Sequence, residues 1–168
     1  MRRSLSLFAA TALLASCSAT TRYRPTRAPP GELALAYDDE VQVWNGSRQV
    51  AQGPRYEGLS DFMRCVPDAR RHAEVAQSAG GRASILAPLS VGFAVVGLGG
   101  FAGLAYRNKD NGAMGALLLG GVALEIAAVV MAGSSFSAKA QAQGHALDAV
   151  NYYNDAVGSR GGTCPGGL

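Results

Sequence analysis

Charge is scarce in this chain, and so are the residues that do chemistry. Only 16% of its 168 residues are charged, and it holds two histidines, three cysteines and one tryptophan. His72 and His145, each on a predicted helix, could approach across a helix pair, but they lack a carboxylate or thiolate at a recognised ligand spacing, so they read as half-exposed polar residues and no metal is expected. Serines occur near His and Asp without a nucleophile-elbow pattern. One run, Gly97-Leu98-Gly99-Gly100-Phe101-Ala102-Gly103, has the look of a phosphate loop but lies inside an apolar stretch. The net charge of +3 falls to about +1 once Arg2 and Arg3 of the leader are set aside, which gives nucleic acid no electrostatic hold. No cofactor is implied and no catalytic constellation stands out, so the chain reads as a non-enzyme.

What the chain has in quantity is apolar length. Residues 84–106 carry no formal charge, and residues 113–132 carry one, Glu125. A helix over the first block is about 35 Å long, enough to cross a hydrocarbon core of about 30 Å with some tilt. Helix is also the open-ended structure that satisfies its own backbone in lipid. The polar residues Arg107-Asn108-Lys109-Asp110-Asn111-Gly112 between the blocks supply a turn. Pro88 is placed in the first turn of block one, where its missing N–H costs little. The expectation is a membrane-spanning antiparallel helical hairpin.

Glycine patterning adds to this reading. Gly99-x-x-x-Gly103 and Ala116-x-x-x-Gly120 are small-residue pairs that let backbones approach, either within the hairpin or between copies of it. Glu125 lies past the middle of the second block. A carboxylate at that depth needs neutralisation, a partner or a polar interior.

The N-terminus carries an address. Residues 1–16 have a basic start and an apolar run too short to span, the layout of a secretory signal. The run ends in Leu14-Ala15-Ser16-Cys17, which resembles the lipobox of bacterial lipoproteins at all four positions. The resemblance implies diacylglyceryl transfer to the Cys17 thiol, cleavage before it and N-acylation, with several acyl chains making a stable anchor. It covers the leader and says nothing of the chain beyond it. Ser18 after the cysteine, in place of the Asp that retains such proteins at the inner membrane, favours the outer membrane; a helical hairpin argues against it. The net positive loop at 107–112 points to the cytoplasm. The expected location is therefore the bacterial cell membrane, lipid-anchored on the periplasmic side, with the inner membrane favoured.

Residues 17–31 read as a flexible linker with Pro25, Pro29 and Pro30, and with Arg22, Arg24 and Arg27 close to anionic headgroups. Residues 32–57 alternate apolar and polar. With Asn45-Gly46 as a hairpin signal, they predict a β unit of two or three short strands, one face covered by Trp44. Residues 58–82 predict an extramembrane helix with Ser60 as N-cap and a stripe of Ala69, Ala73, Ala76 and Ala79. Residues 137–157 predict another, with a stripe of Ala142, Ala146, Val150, Tyr153 and Val157. If these continue the membrane helices they pack stripe to stripe, and residues 158–168 form a flexible tail. That geometry brings Cys65 towards Cys164, and an oxidising compartment favours their bond; an intermolecular bond or free thiols are the alternatives. Chain entropy gives such a bridge about 4–5 kcal/mol, less where the hairpin already restricts the loop.

The fold expected is thus mainly α: a membrane-spanning helical hairpin, extended by extramembrane helices, with a small β unit near the N-terminus. The function expected is that of a membrane lipoprotein anchor, scaffold or accessory subunit of a cell-envelope complex. Its expected partners are membrane lipid and a protein partner or a second copy. A Gly-rich hairpin with a polar Arg/Asn loop and a mid-membrane Glu125 is also similar in outline to the proton-carrying rotor subunit of ATP synthases, although the leader and flanks depart from that family. That likeness implies the alternative, a homo-oligomeric channel or proton-handling subunit using Glu125.

Overall fold

The computed structural model describes residues 22–23, 25, 31–107, 111–158 and 164. The leader, Cys17, most of the linker, the turn at 108–110 and most of the tail lie outside the described residues. The chain is mainly helical, with a small antiparallel sheet followed by two long apolar helices. The sheet is a meander of β2 (Leu33–Asp38), β3 (Glu40–Asn45) and β4 (Arg48–Gln52), with a two-residue strip β1 (Arg22–Tyr23) on its edge. A short helix α1 (Leu59–Phe62) leads into α2 (Pro67–Arg107) and α3 (Asn111–Gly158).

Turn chemistry fixes the meander. Asp38 pairs with Glu40 across Asp39, which takes the left-handed region at φ 61°. Asn45 pairs with Arg48, so the second turn is centred on Gly46-Ser47, with Gly46 at φ 59°. The pairing slips between Val43 and Trp44, a bulge that sets Val50 outside the ladder. Val43 and Ala51 face the core, and Trp44 lies on the opposite face with its Nε1–H donating to Gln42 Oε1 at 3.0 Å. β1 pins part of the expected linker: Arg22 pairs with Asp38, and Tyr23 with Tyr37.

The extramembrane helices continue the apolar blocks without a break, giving one long hairpin. α2 has 41 residues and α3 has 48, about 60 and 70 Å of helix. Pro88 therefore sits in the interior of α2, not in a first turn. The absence of charge begins just after Arg82, but the helix begins fifteen residues before that, at Pro67. One turn ahead of Pro88, Ser135 Oγ donates across the helix pair to the Ala83 carbonyl at 3.2 Å. The cap of α1 is Gly58 at φ 84°, and Ser60 instead donates to Gln77 Oε1 of α2 at 2.9 Å.

One core holds the sheet to the upper halves of the helices. Its alanines, Ala69, Ala73, Ala76 and Ala79 from α2 and Ala142, Ala146 and Ala149 from α3, are fully buried, and Val150, Tyr153, Tyr56, Leu59, Met63, Leu33 and Val43 close around them. Small side chains let the helices approach closely and leave room for the loop after β4. An added Cβ on Gly80 would overlap the Pro54 carbonyl, so this glycine is where the sheet docks on α2. The seam continues downward through Ala83, Ser90 and Gly97 on α2 and Gly121, Ala128 and Ser135 on α3, all buried. Both series step by seven, the period of a left-handed supercoil.

Outside that seam the lower halves are apolar and uncovered. Val95, Leu98, Ile126 and Val129 are each 60–69% exposed, and both helices are long and apolar enough to cross a membrane.

Candidate functional site

Two clamps hold the sheet against α3, one on β2 and one at the start of β3. At one end Asn154 brackets the Leu33 backbone, with Oδ1 accepting from its N–H at 2.8 Å and Nδ2 donating to its carbonyl at 2.9 Å. At the other, Lys139 Nζ donates to Glu40 Oε1 at 2.6 Å. Glu40 Oε2 and the buried Tyr56 hydroxyl converge on Gly53. Burial first, and the Glu40 carboxylate second, push the Tyr56 phenol above its ordinary range.

Above Lys139 the two helices bring together the chain's two histidines, 73 residues apart in sequence. His72 Nδ1 and His145 Nδ1 lie 3.0 Å apart, within hydrogen-bond distance, the tautomers setting which of them donates. Asp148, one turn after His145 on α3, places Oδ2 3.6 Å from His72 Nδ1. The three donor atoms all fall within 4.8 Å of one another. Tyr152, the next turn along, stacks on His72 with ring centroids 5.2 Å apart and planes 23° apart, which sets the imidazole's orientation. The His72 side chain is 18% exposed and that of Asp148 53%, so the cluster opens to solvent on one side. Two nitrogens and a carboxylate in such an arrangement can hold a divalent metal ion.

The sequence reading lets the two histidines approach across the helix pair but gives them no carboxylate. The signal that finds the site is His145-x-x-Asp148 on one helix face, together with the antiparallel register that aligns the alanine stripes and carries His72 opposite. Asp148 plays no part in the sequence reading at all. The neighbouring tyrosines divide: Tyr152 is exposed, while Tyr153 is buried and packs on Phe62 at 5.6 Å between centroids.

The other expected residues lie away from this cluster. Cys65 and Cys164 are bonded, with Cα atoms 5.7 Å apart. Glu125 turns into the helix pair over Gly97, where an added Cβ would meet its Oε1 at 2.6 Å; that oxygen is buried and has no hydrogen-bond partner among the described residues. Gly97 is thus what accommodates Glu125. Gly99 and Gly120 are exposed, and among the described residues nothing lies within 4 Å of an added Cβ on either. The side-chain surroundings of Gly103 and Ala116 lie outside the described residues, as does Cys17. No protein-family model, curated protein or solved structure matches the chain.

Proposed function

We propose that this chain is a non-enzymatic membrane lipoprotein, an anchor, scaffold or accessory subunit of a cell-envelope complex. It is held twice: by acyl chains on Cys17, and by the lower halves of α2 and α3 inserted as a transmembrane hairpin. The observation that carries this reading is where the apolar surface lies. A core helix of a water-soluble fold buries its apolar residues, whereas only 17% and 11% of the most apolar windows of these two helices are buried. Among the described residues, the large side chains turned outward between Ile85 and Phe136 are Ile, Leu, Val and Phe, and the seam between the helices is built on Ala, Ser and Gly, the distribution suited to lipid outside and close packing inside. Arg82 and Lys139 then mark the upper boundary.

The β1 strip supports the double tether. Arg22 pairs at the end of β2 that Glu40 ties to Lys139. Five residues separate Arg22 from Cys17, an extended reach of about 17 Å, short enough to set an acylated cysteine in the leaflet beside Lys139. The head would sit on the periplasmic face of the inner membrane, presenting the outer sheet face around Trp44 and the exposed Tyr152 to a protein partner.

The deciding experiment is membrane fractionation of wild type beside Cys17→Ala. Wild type gains the mass of its acyl chains. Retention of the variant in a carbonate-resistant membrane fraction is the expected result; release into the soluble fraction sinks the transmembrane reading. The unpartnered oxygen of Glu125 favours one second reading, a homo-oligomeric channel or proton-handling subunit. Under it, Glu125→Gln abolishes function at unchanged protein level; as a scaffold the chain tolerates that change.

A further inference from the structure

We infer that His72, His145 and Asp148 form a binding site for a divalent transition-metal ion of the Zn2+ class, bridging α2 and α3 in the head. The argument starts from the two imidazoles. Their Nδ1 atoms face each other at 3.0 Å across the helix pair. That contact accommodates one proton between two lone pairs; a metal ion accepts both lone pairs at once. In a tetrahedral shell with metal–nitrogen bonds of about 2.0–2.1 Å, neighbouring donors are about 3.3–3.4 Å apart. The observed separations, 3.0 Å between the nitrogens and 3.6 Å from His72 Nδ1 to Asp148 Oδ2, straddle that value. The three ligand atoms all lie within 4.8 Å of one another.

The supports are rigid. His72 stands one residue before Ala73, and His145 one before Ala146, both fully buried stripe residues, so each imidazole leaves a packed helix beside the seam. Asp148 follows His145 by three residues, which places both on one face of α3. Tyr152 holds the His72 ring by stacking. The solvent side leaves a fourth position for water.

The donor set selects the ion. Two imidazoles and one carboxylate, with no thiolate or thioether, suit Zn2+, Cu2+ and Ni2+; Cu+ wants sulfur, and Mg2+ and Ca2+ want a shell of oxygens.

The test uses the full chain in detergent micelles with its disulfide intact, carrying no histidine tag. The chain's own two histidines are then the sole source of imidazole. Calorimetric titration with ZnCl2 after chelator treatment is expected to give one ion per chain. Electron paramagnetic resonance of the Cu2+ form is expected to show hyperfine coupling to two nitrogens. His72→Ala and His145→Gln should each weaken Zn2+ binding by at least about tenfold, since loss even of a residue behind a ligand costs that much. Asp148→Asn should weaken it less. Absence of stoichiometric binding by wild type, a Cu2+ spectrum without nitrogen coupling, or undiminished affinity in the His72→Ala/His145→Gln double variant would each overturn the site. Should a variant fail to fold, the wild-type spectrum decides the matter without it.

Discussion

The two halves of the helical hairpin are built on the same seam and finished in opposite ways. Above Arg82 and Lys139 the alanine stripes are covered by a sheet, a short helix and a disulfide, and the outward faces carry Arg70, Glu74 and Asp148. Below them the seam of Ala83, Ser90, Gly97, Gly121, Ala128 and Ser135 is just as tight, but the outward faces carry Val95, Val96, Ile126 and Val129. The contrast teaches that small residues between helices say only that backbones approach. The residues pointing away from the seam say which solvent the pair stands in.

The largest expected effect belongs to the upper half. Gly80→Ala drives a Cβ into the Pro54 carbonyl, backbone against backbone, and should destabilise the head by about 3 kcal/mol, read as loss of its thermal transition in micelles. A similar figure separates the halves directly. Val129→Lys at the proposed mid-membrane level should cost about 3 kcal/mol of insertion and deplete the membrane fraction, whereas Leu147→Lys, at 39% exposure in the head, should change little. Equal behaviour of the two would erase the distinction. Removing the disulfide with Cys65→Ser should cost about 2 kcal/mol, below the full loop-entropy value because the hairpin already restrains the chain.

A smaller effect is pH-dependent. Folded Tyr56 holds its proton more tightly than an unfolded tyrosine, whose ordinary value is 10.0. Its contribution is intact below that value and is lost as pH rises above it, by about 1 kcal/mol at pH 11. Melting profiles of Tyr56→Phe should lack that portion of the alkaline decline. Smallest of all, Gly99→Ala and Gly120→Ala should leave the head's unfolding within about 0.5 kcal/mol, since an added Cβ meets nothing on either. If self-association falls in cross-linking, those faces belong to contacts between copies.

Legibility in the sequence divides along the same line. The alanine stripes show in the three- and four-residue spacing, and the apolar blocks show in their lack of charge, because both are local patterns on one helix. Pro88 reads as a first-turn residue because the edge of a charge-free run is a property of solvent, not of the helix, which starts at Pro67. Nothing local could pair Asn154 with Leu33, 121 residues away, or His72 with His145. Those contacts depend on register between elements, and only the assembled hairpin sets it. Gly80 reads as the end of a stripe; its use by Pro54 requires knowing where the sheet docks.

The bond between Cys65 and Cys164 closes a circuit. With the chain that joins α2 to α3, it closes both long helices into one covalent ring whose ends are 99 positions apart in sequence. A hairpin without that bond can open and lend one arm to a neighbour, the usual route to exchanged dimers and to tangled aggregates in a crowded bilayer. Once the ring is shut, no arm can be lent. Any assembly of this protein must then be made of intact rings set side by side, and it can be taken apart again without unfolding its members.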